Sequence, residues 1–107
     1  INDALCRGGA VVIRVLYDCG HYVLLTGVRK DKILMFDPYY SENALDLPGI
    51  IRVDDQPFRY NRIVDEKCFN RESTELYALG PVDDREAVII FNERTRKTEE
   101  ETIEYFI

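Results

Sequence analysis

Apolar positions in this chain fall in short runs separated by Gly, Pro, Asp and charged residues, the spacing of strands. Residues 10–16 are rich in Val and Ile and too short for a stable lone helix, which predicts a buried strand. A turn, Tyr17-Asp18-Cys19-Gly20, separates it from a second strand over 21–28 (HYVLLTGV). The charged turn Arg29-Lys30-Asp31-Lys32 leads into a third strand over 33–36. Asp37-Pro38 stops that strand, because Pro has no N–H to donate to a ladder. Connections this short favour antiparallel pairing. Val23, Leu25, Ile33 and Met35 then share one face, and Tyr22, Leu24, Leu34 and Phe36 the other. A sheet apolar on both faces is covered on both sides, and one cover is expected to lie outside this chain.

Ahead of the strands, Ile1-Asn2-Asp3-Ala4-Leu5-Cys6-Arg7 reads as the end of a helix stopped by Gly8-Gly9. An opening of that kind predicts a C-terminal piece of a longer protein. Residues 39–56 read as a loop with a short strand at Ile50, Ile51 and Val53. A weak alternation over 58–64 predicts another strand, 65–75 a polar loop, and 76–79 and 87–91 two further strands joined by a turn at 80–84. In the tail, Thr98-Glu99-Glu100-Glu101 fits a capping box, and Ile103, Phe106 and Ile107 form an apolar stripe, which together predict a helix; the alternative is a strand over 102–107. The fold class is α+β: a curled antiparallel sheet with short flanking helices, a single domain or part of one over 1–107.

Composition narrows the function classes. The 107 residues make one modest domain, 46% hydrophobic and 32% charged, unlike a fibrous or disordered chain. No apolar run approaches the roughly 20 residues that span a bilayer. Fourteen basic against 20 acidic side chains give a net charge of −6. That balance argues against a nucleic-acid partner and against a membrane surface, both of which attract surplus Lys and Arg. Three cysteines, Cys6, Cys19 and Cys68, are an odd count for a disulfide framework and predict a reducing, cytoplasmic setting.

His21 is the one histidine, placed at a strand start beside Gly20. An imidazole can take a proton from a nucleophile and return it to a leaving group, but needs a third group to fix its tautomer. Asp37, at the end of the next strand, is a candidate for that group, though Asp-Pro is also a common turn starter. If the hairpin closes with Val28 opposite Lys32, Asp37 falls opposite Val23 and is a diagonal neighbour of His21, about 7–8 Å away on one face. A one-residue slip places the two on opposite faces.

The stretch Gly20-His21-Tyr22-Val23-Leu24-Leu25-Thr26-Gly27-Val28, with Asp31, Ile33 and Asp37-Pro38-Tyr39, resembles the C-terminal half of the peptidase C39-like domain. These are papain-like cysteine peptidases, related to the bacterial bacteriocin-processing peptidases of peptide exporters. The lead-in Ile1-Asn2-Asp3-Ala4-Leu5, Gly9 and Val11-Val12-Ile13 resembles the family's helix and buried strand, so the likeness covers about residues 1–40. The resemblance implies that His21 is the catalytic base and Asp37 the acid that orients it. It also implies a papain-like fold of which this chain is the β-rich half, hydrolysing a peptide or protein substrate.

The family's nucleophilic Cys, at a helix start with a Gln before it, is absent here. Asp18-Cys19-Gly20 mimics the motif, but Val12 to Val15 stand where the Gln belongs, and no helix N-terminus is available to lower the thiol's pKa. The nucleophile is therefore expected upstream, on a missing N-terminal lobe, and this chain alone is expected to be inactive. Cys6, in a helix ending, and Cys68, in a polar loop, read as ordinary cysteines. Cys19, His21 and Asp37 offer three ligands but no zinc-site spacing, so no metal and no cofactor are expected. Tyr39 and Tyr40 are candidates to wall a substrate cleft. Two other readings use the same scaffold: an acyl or peptidyl transferase, and a peptide-binding module that has lost the nucleophile.

Overall fold

The computed structural model describes residues 1–16, 20–39, 47–56 and 58–92. Tyr40, Cys19 and the predicted tail helix lie outside the described residues. Helix α1 (Asn2–Cys6) is a single short turn. It ends as its glycines dictate: Gly8, at φ +85°, donates to the Leu5 carbonyl and Gly9 to that of Ala4, the paired bonds of a Schellman motif. Ala4 and Leu5 are buried where the helix lies against the next two strands.

Those strands are β1 (Ala10–Val15) and β2 (His21–Arg29), followed by β3 (Lys32–Phe36), β4 (Ile50–Arg52), β5 (Arg62–Asp65) and β6 (Ala87–Ile90). They form one antiparallel sheet in the order β4-β5-β3-β2-β1-β6. The meander of β1 to β3 stands as the sequence predicts, and the class is α+β.

One detail of the β2–β3 pair differs from the expected register. The hairpin closes with Arg29 opposite Lys32, not Val28 opposite Lys32, around the two-residue turn Lys30-Asp31. Carried straight on, that register would set Asp37 opposite Leu24, on the face away from His21. A β-bulge intervenes: Gly27 pairs with Leu34 but Leu25 with Met35, so Thr26 is an extra residue on β2. Its hydroxyl donates to the Leu34 carbonyl at 3.3 Å. Beyond the bulge Leu24 pairs with Phe36, and the next position brings Asp37 opposite Val23. The predicted neighbourhood is thus reached from a different turn, by way of a bulge.

The core lies on one face of the sheet. Val11, Ile13 and Val15 of β1, Val23 and Leu25 of β2, Ile33 and Met35 of β3, and Val64 of β5 are all buried there. Alpha helix α2 (Glu66–Phe69) adds Cys68 and Phe69. The opposite face is half-buried at Leu24 and Phe36 and exposed at Tyr22, Ile51, Val88 and Ile90. The expected cover on both sides is therefore complete on the core face only, among the described residues.

Three expectations are corrected. Residues 65–75 are not all loop: α2 starts at Glu66, because Cys68 and Phe69 are apolar enough to turn inward. Cys68 is consequently a buried helix residue, and burial pushes its thiol's pKa up. Residues 76–79 are not a strand. They touch the sheet through one bridge, Leu16 to Ala78, and β6 pairs with β1 instead. Buried Arg85 ties this segment down, its Nε donating to the Gly80 carbonyl and its Nη2 to that of Asn70. No described helix is long and apolar enough to cross a membrane.

Candidate functional site

The site lies at one end of the core face, where β2 begins and β3 ends. His21 opens β2 opposite Val15, and Asp37 is the first residue beyond β3. The two meet as the hairpin geometry requires: His21 Nε2 lies 2.6 Å from Asp37 Oδ1. The carboxylate is only 5% exposed and the imidazole 25%, so the acid is inside and one side of the ring reaches solvent.

A carboxylate so far from water must have its lone pairs satisfied by the protein. Oδ1 accepts from His21 and from the Tyr39 backbone N–H, at 2.8 Å. Oδ2 accepts from the Tyr77 hydroxyl at 2.7 Å. The Asp-Pro turn and the orienting acid, alternatives in the sequence, are one residue performing both tasks through one oxygen. The backbone of Asp37 is held as well. Its N–H donates to Asn61 Oδ1 at 2.8 Å, and its carbonyl accepts from Asn61 Nδ2 at 2.7 Å.

A carboxylate only accepts, so a neutral ring in this contact carries its proton on Nε2 and keeps the lone pair on Nδ1. Among the described residues Nδ1 has no hydrogen-bond partner. The arrangement can therefore take a proton at Nδ1 and stabilise the resulting imidazolium through the carboxylate behind it.

Tyr39 stands beside the imidazole, ring centroids 6.4 Å apart and planes at 82°, an edge-to-face contact. It is 65% exposed, so it flanks the ring from the solvent side. Tyr77 is its opposite, buried at 1%. Burial first, and then the adjacent Asp37 carboxylate, push the Tyr77 phenol far above its ordinary pKa, so it remains a donor. Arg62, 3% exposed and opposite Met35 on β5, lies against the same phenol and donates to the Asn61 carbonyl at 2.8 Å.

Sequence reasoning found His21, Asp37 and Tyr39, and the structure brings these three together. It missed Asn61, Arg62 and Tyr77. Asn61 and Tyr77 stand 24 and 40 residues from Asp37, and no spacing rule connects positions joined only by the folded chain. The one available signal was a polar Asn61-Arg62 pair inside a run that otherwise read as a strand. Among the described residues no group of three or more His, Cys, Asp or Glu is placed to hold a metal ion. Comparisons of the chain with known protein families, with curated proteins and with solved structures find no match.

Proposed function

We propose that this chain is the His- and Asp-bearing, β-rich half of a papain-like cysteine peptidase of the C39-like kind, with the nucleophilic Cys on a lobe contributed by upstream sequence. The observation that carries this reading is the short bond between His21 Nε2 and buried Asp37, with Nδ1 facing no partner among the described residues. A histidine kept only for packing has no need of a buried carboxylate that two further donors also hold.

In this reading the upstream thiol gives its proton to His21 Nδ1, and Asp37 holds the imidazolium so formed. The thiolate sulfur bonds to the scissile carbonyl carbon, and the carbonyl electron pair moves onto oxygen, where a backbone N–H and an upstream side chain bind it. The oxyanion re-forms its carbonyl as the C–N bond breaks, and His21 Nδ1–H protonates the leaving amine. Water then attacks the thioester with His21 again as base, releasing the acid and the thiol. Tyr39, exposed beside the ring, walls the cleft for a peptide or protein substrate. An acyl transferase would use the same residues with an amine in place of water.

The test is alkylation of the polypeptide extended upstream, with iodoacetamide. One Cys is expected to react fast, and His21→Ala is expected to slow it about 100-fold, in line with the contribution of a positioned base. Uniformly slow labelling, unchanged by that substitution, would overturn the peptidase and transferase readings together and leave a peptide-binding module.

A further inference from the structure

Asp37 is steered from behind by a residue that the hairpin does not contain. Tyr77 has φ +65°, a left-handed backbone that bulky side chains rarely adopt. Neighbouring bonds over-determine that conformation: Leu16 N–H to the Ala78 carbonyl at 2.7 Å, Leu79 N–H to that of Phe69 at 2.9 Å, and Gly80 N–H to that of Arg71 at 3.0 Å. The consequence of the unusual backbone is that the phenol enters the core and its hydroxyl reaches Asp37 Oδ2 at 2.7 Å.

Resting on the reading of His21 as a base, we propose that Tyr77 is a positioning residue: its hydroxyl locks the Asp37 carboxylate so that Oδ1 stays aimed at His21 Nε2. The torsion between Cβ and Cγ of an aspartate is broad and soft, so a carboxylate held on one oxygen can swing. Here Oδ2 is held by Tyr77 while Oδ1 is held by His21 and the Tyr39 N–H, and rotation would break bonds at both ends. Asn61 fixes the backbone of Asp37 but touches neither carboxylate oxygen in these bonds, so among the described residues it is the phenol that constrains the far side. Burial beside a carboxylate favours the protonated phenol, which therefore donates throughout the neutral range.

The test is the exchange rate of the His21 Nε2 proton with water, read by NMR on the 107-residue chain labelled at its one histidine. Tyr77→Phe keeps the ring and removes the hydroxyl. It is expected to speed that exchange at least tenfold while amide shifts distant from the site stay put. Leu79→Ala, which cuts into the same buried segment but leaves the phenol, is the control for lost packing. Exchange in Tyr77→Phe as slow as in the parent, or equal acceleration in Leu79→Ala, would overturn the proposal. The experiment needs no nucleophile: a failed alkylation test leaves this result standing, and a failed exchange test leaves the thiol chemistry untouched.

Discussion

Asp37 joins the hairpin to two distant parts of the chain. Its two oxygens accept three hydrogen bonds and its backbone makes two more with Asn61. Removing it strands a buried phenol and an imidazole. Asp37→Ala is expected to cost about 2 kcal/mol, the usual penalty for leaving buried donors unpaired, measured by urea unfolding. Tyr77 gives a pH dependence of known sign. Its folded-state pKa is raised by burial and by Asp37, above the ordinary tyrosine value of 10.0. The folded chain therefore holds that proton more tightly than the unfolded one, and the stability so gained is complete below the unfolded pKa. It is lost as pH rises above that value towards the folded one. Alkaline unfolding of the parent is expected to steepen above about pH 10, and Tyr77→Phe to remove that component. A variant whose alkaline limb matches the parent's would contradict the assignment.

At the scale of elements, the β2 bulge sets the register at the site. A strand's side chains alternate, so pairing slipped by one residue moves everything beyond it to the other face. Thr26 takes up that one residue. Deleting it removes the extra residue and leaves the pairs on either side in place, Gly27 with Leu34 and Leu25 with Met35, so Asp37 stays opposite Val23 on the face of His21. The expected outcome is a chain with its β-sheet circular dichroism and its His21–Asp37 bond both kept, the latter read from the ring nitrogen spectrum; loss of the bond would contradict the register drawn from the bulge. The segment 76–80 is equally constrained. Gly80 has φ +76°, and a Cβ there would fall 2.5 Å from Leu16 Cδ1. Gly80→Ala is expected to cost about 2 kcal/mol through backbone strain and the clash, measured by thermal or urea melting. The strands β1 to β3 were legible because Val and Ile runs with short polar turns leave little choice of structure. The bulge was not, because Thr26-Gly27 reads as ordinary strand and only the closed hairpin reveals the extra residue. Helix α2 and the bridge at Leu16 to Ala78 were hidden for a related reason, since burial on a distant sheet overrides weak local preference.

For the whole molecule, the sheet sets a hydrophobic face under a polar end. Phe69 and the strand residues fill the core, and His21, Asp37, Asn61 and Tyr77 close it where β2 begins. Phe69→Ala is expected to cost about 4 kcal/mol, the range for emptying a buried aromatic site, and to loosen Tyr77 through the Leu79 N–H bond to the Phe69 carbonyl. The dyad itself was readable from one hairpin. What steadies it was not, because Asn61 and Tyr77 come from far along the chain and meet Asp37 only through the folded sheet. The 107 residues hold the steering half of the proposed reaction and are expected to hydrolyse no peptide by themselves.

The central claim is that Asp37 holds the His21 ring by Nε2 and leaves Nδ1 bare to accept a proton. The ring nitrogen spectrum of the labelled chain, with the imidazole neutral, addresses it directly. The account requires a protonated Nε2, slow to exchange, and an Nδ1 with the shift of an unprotonated nitrogen. A proton found on Nδ1, or an Nε2 proton exchanging as freely as in a solvated imidazole, would contradict it.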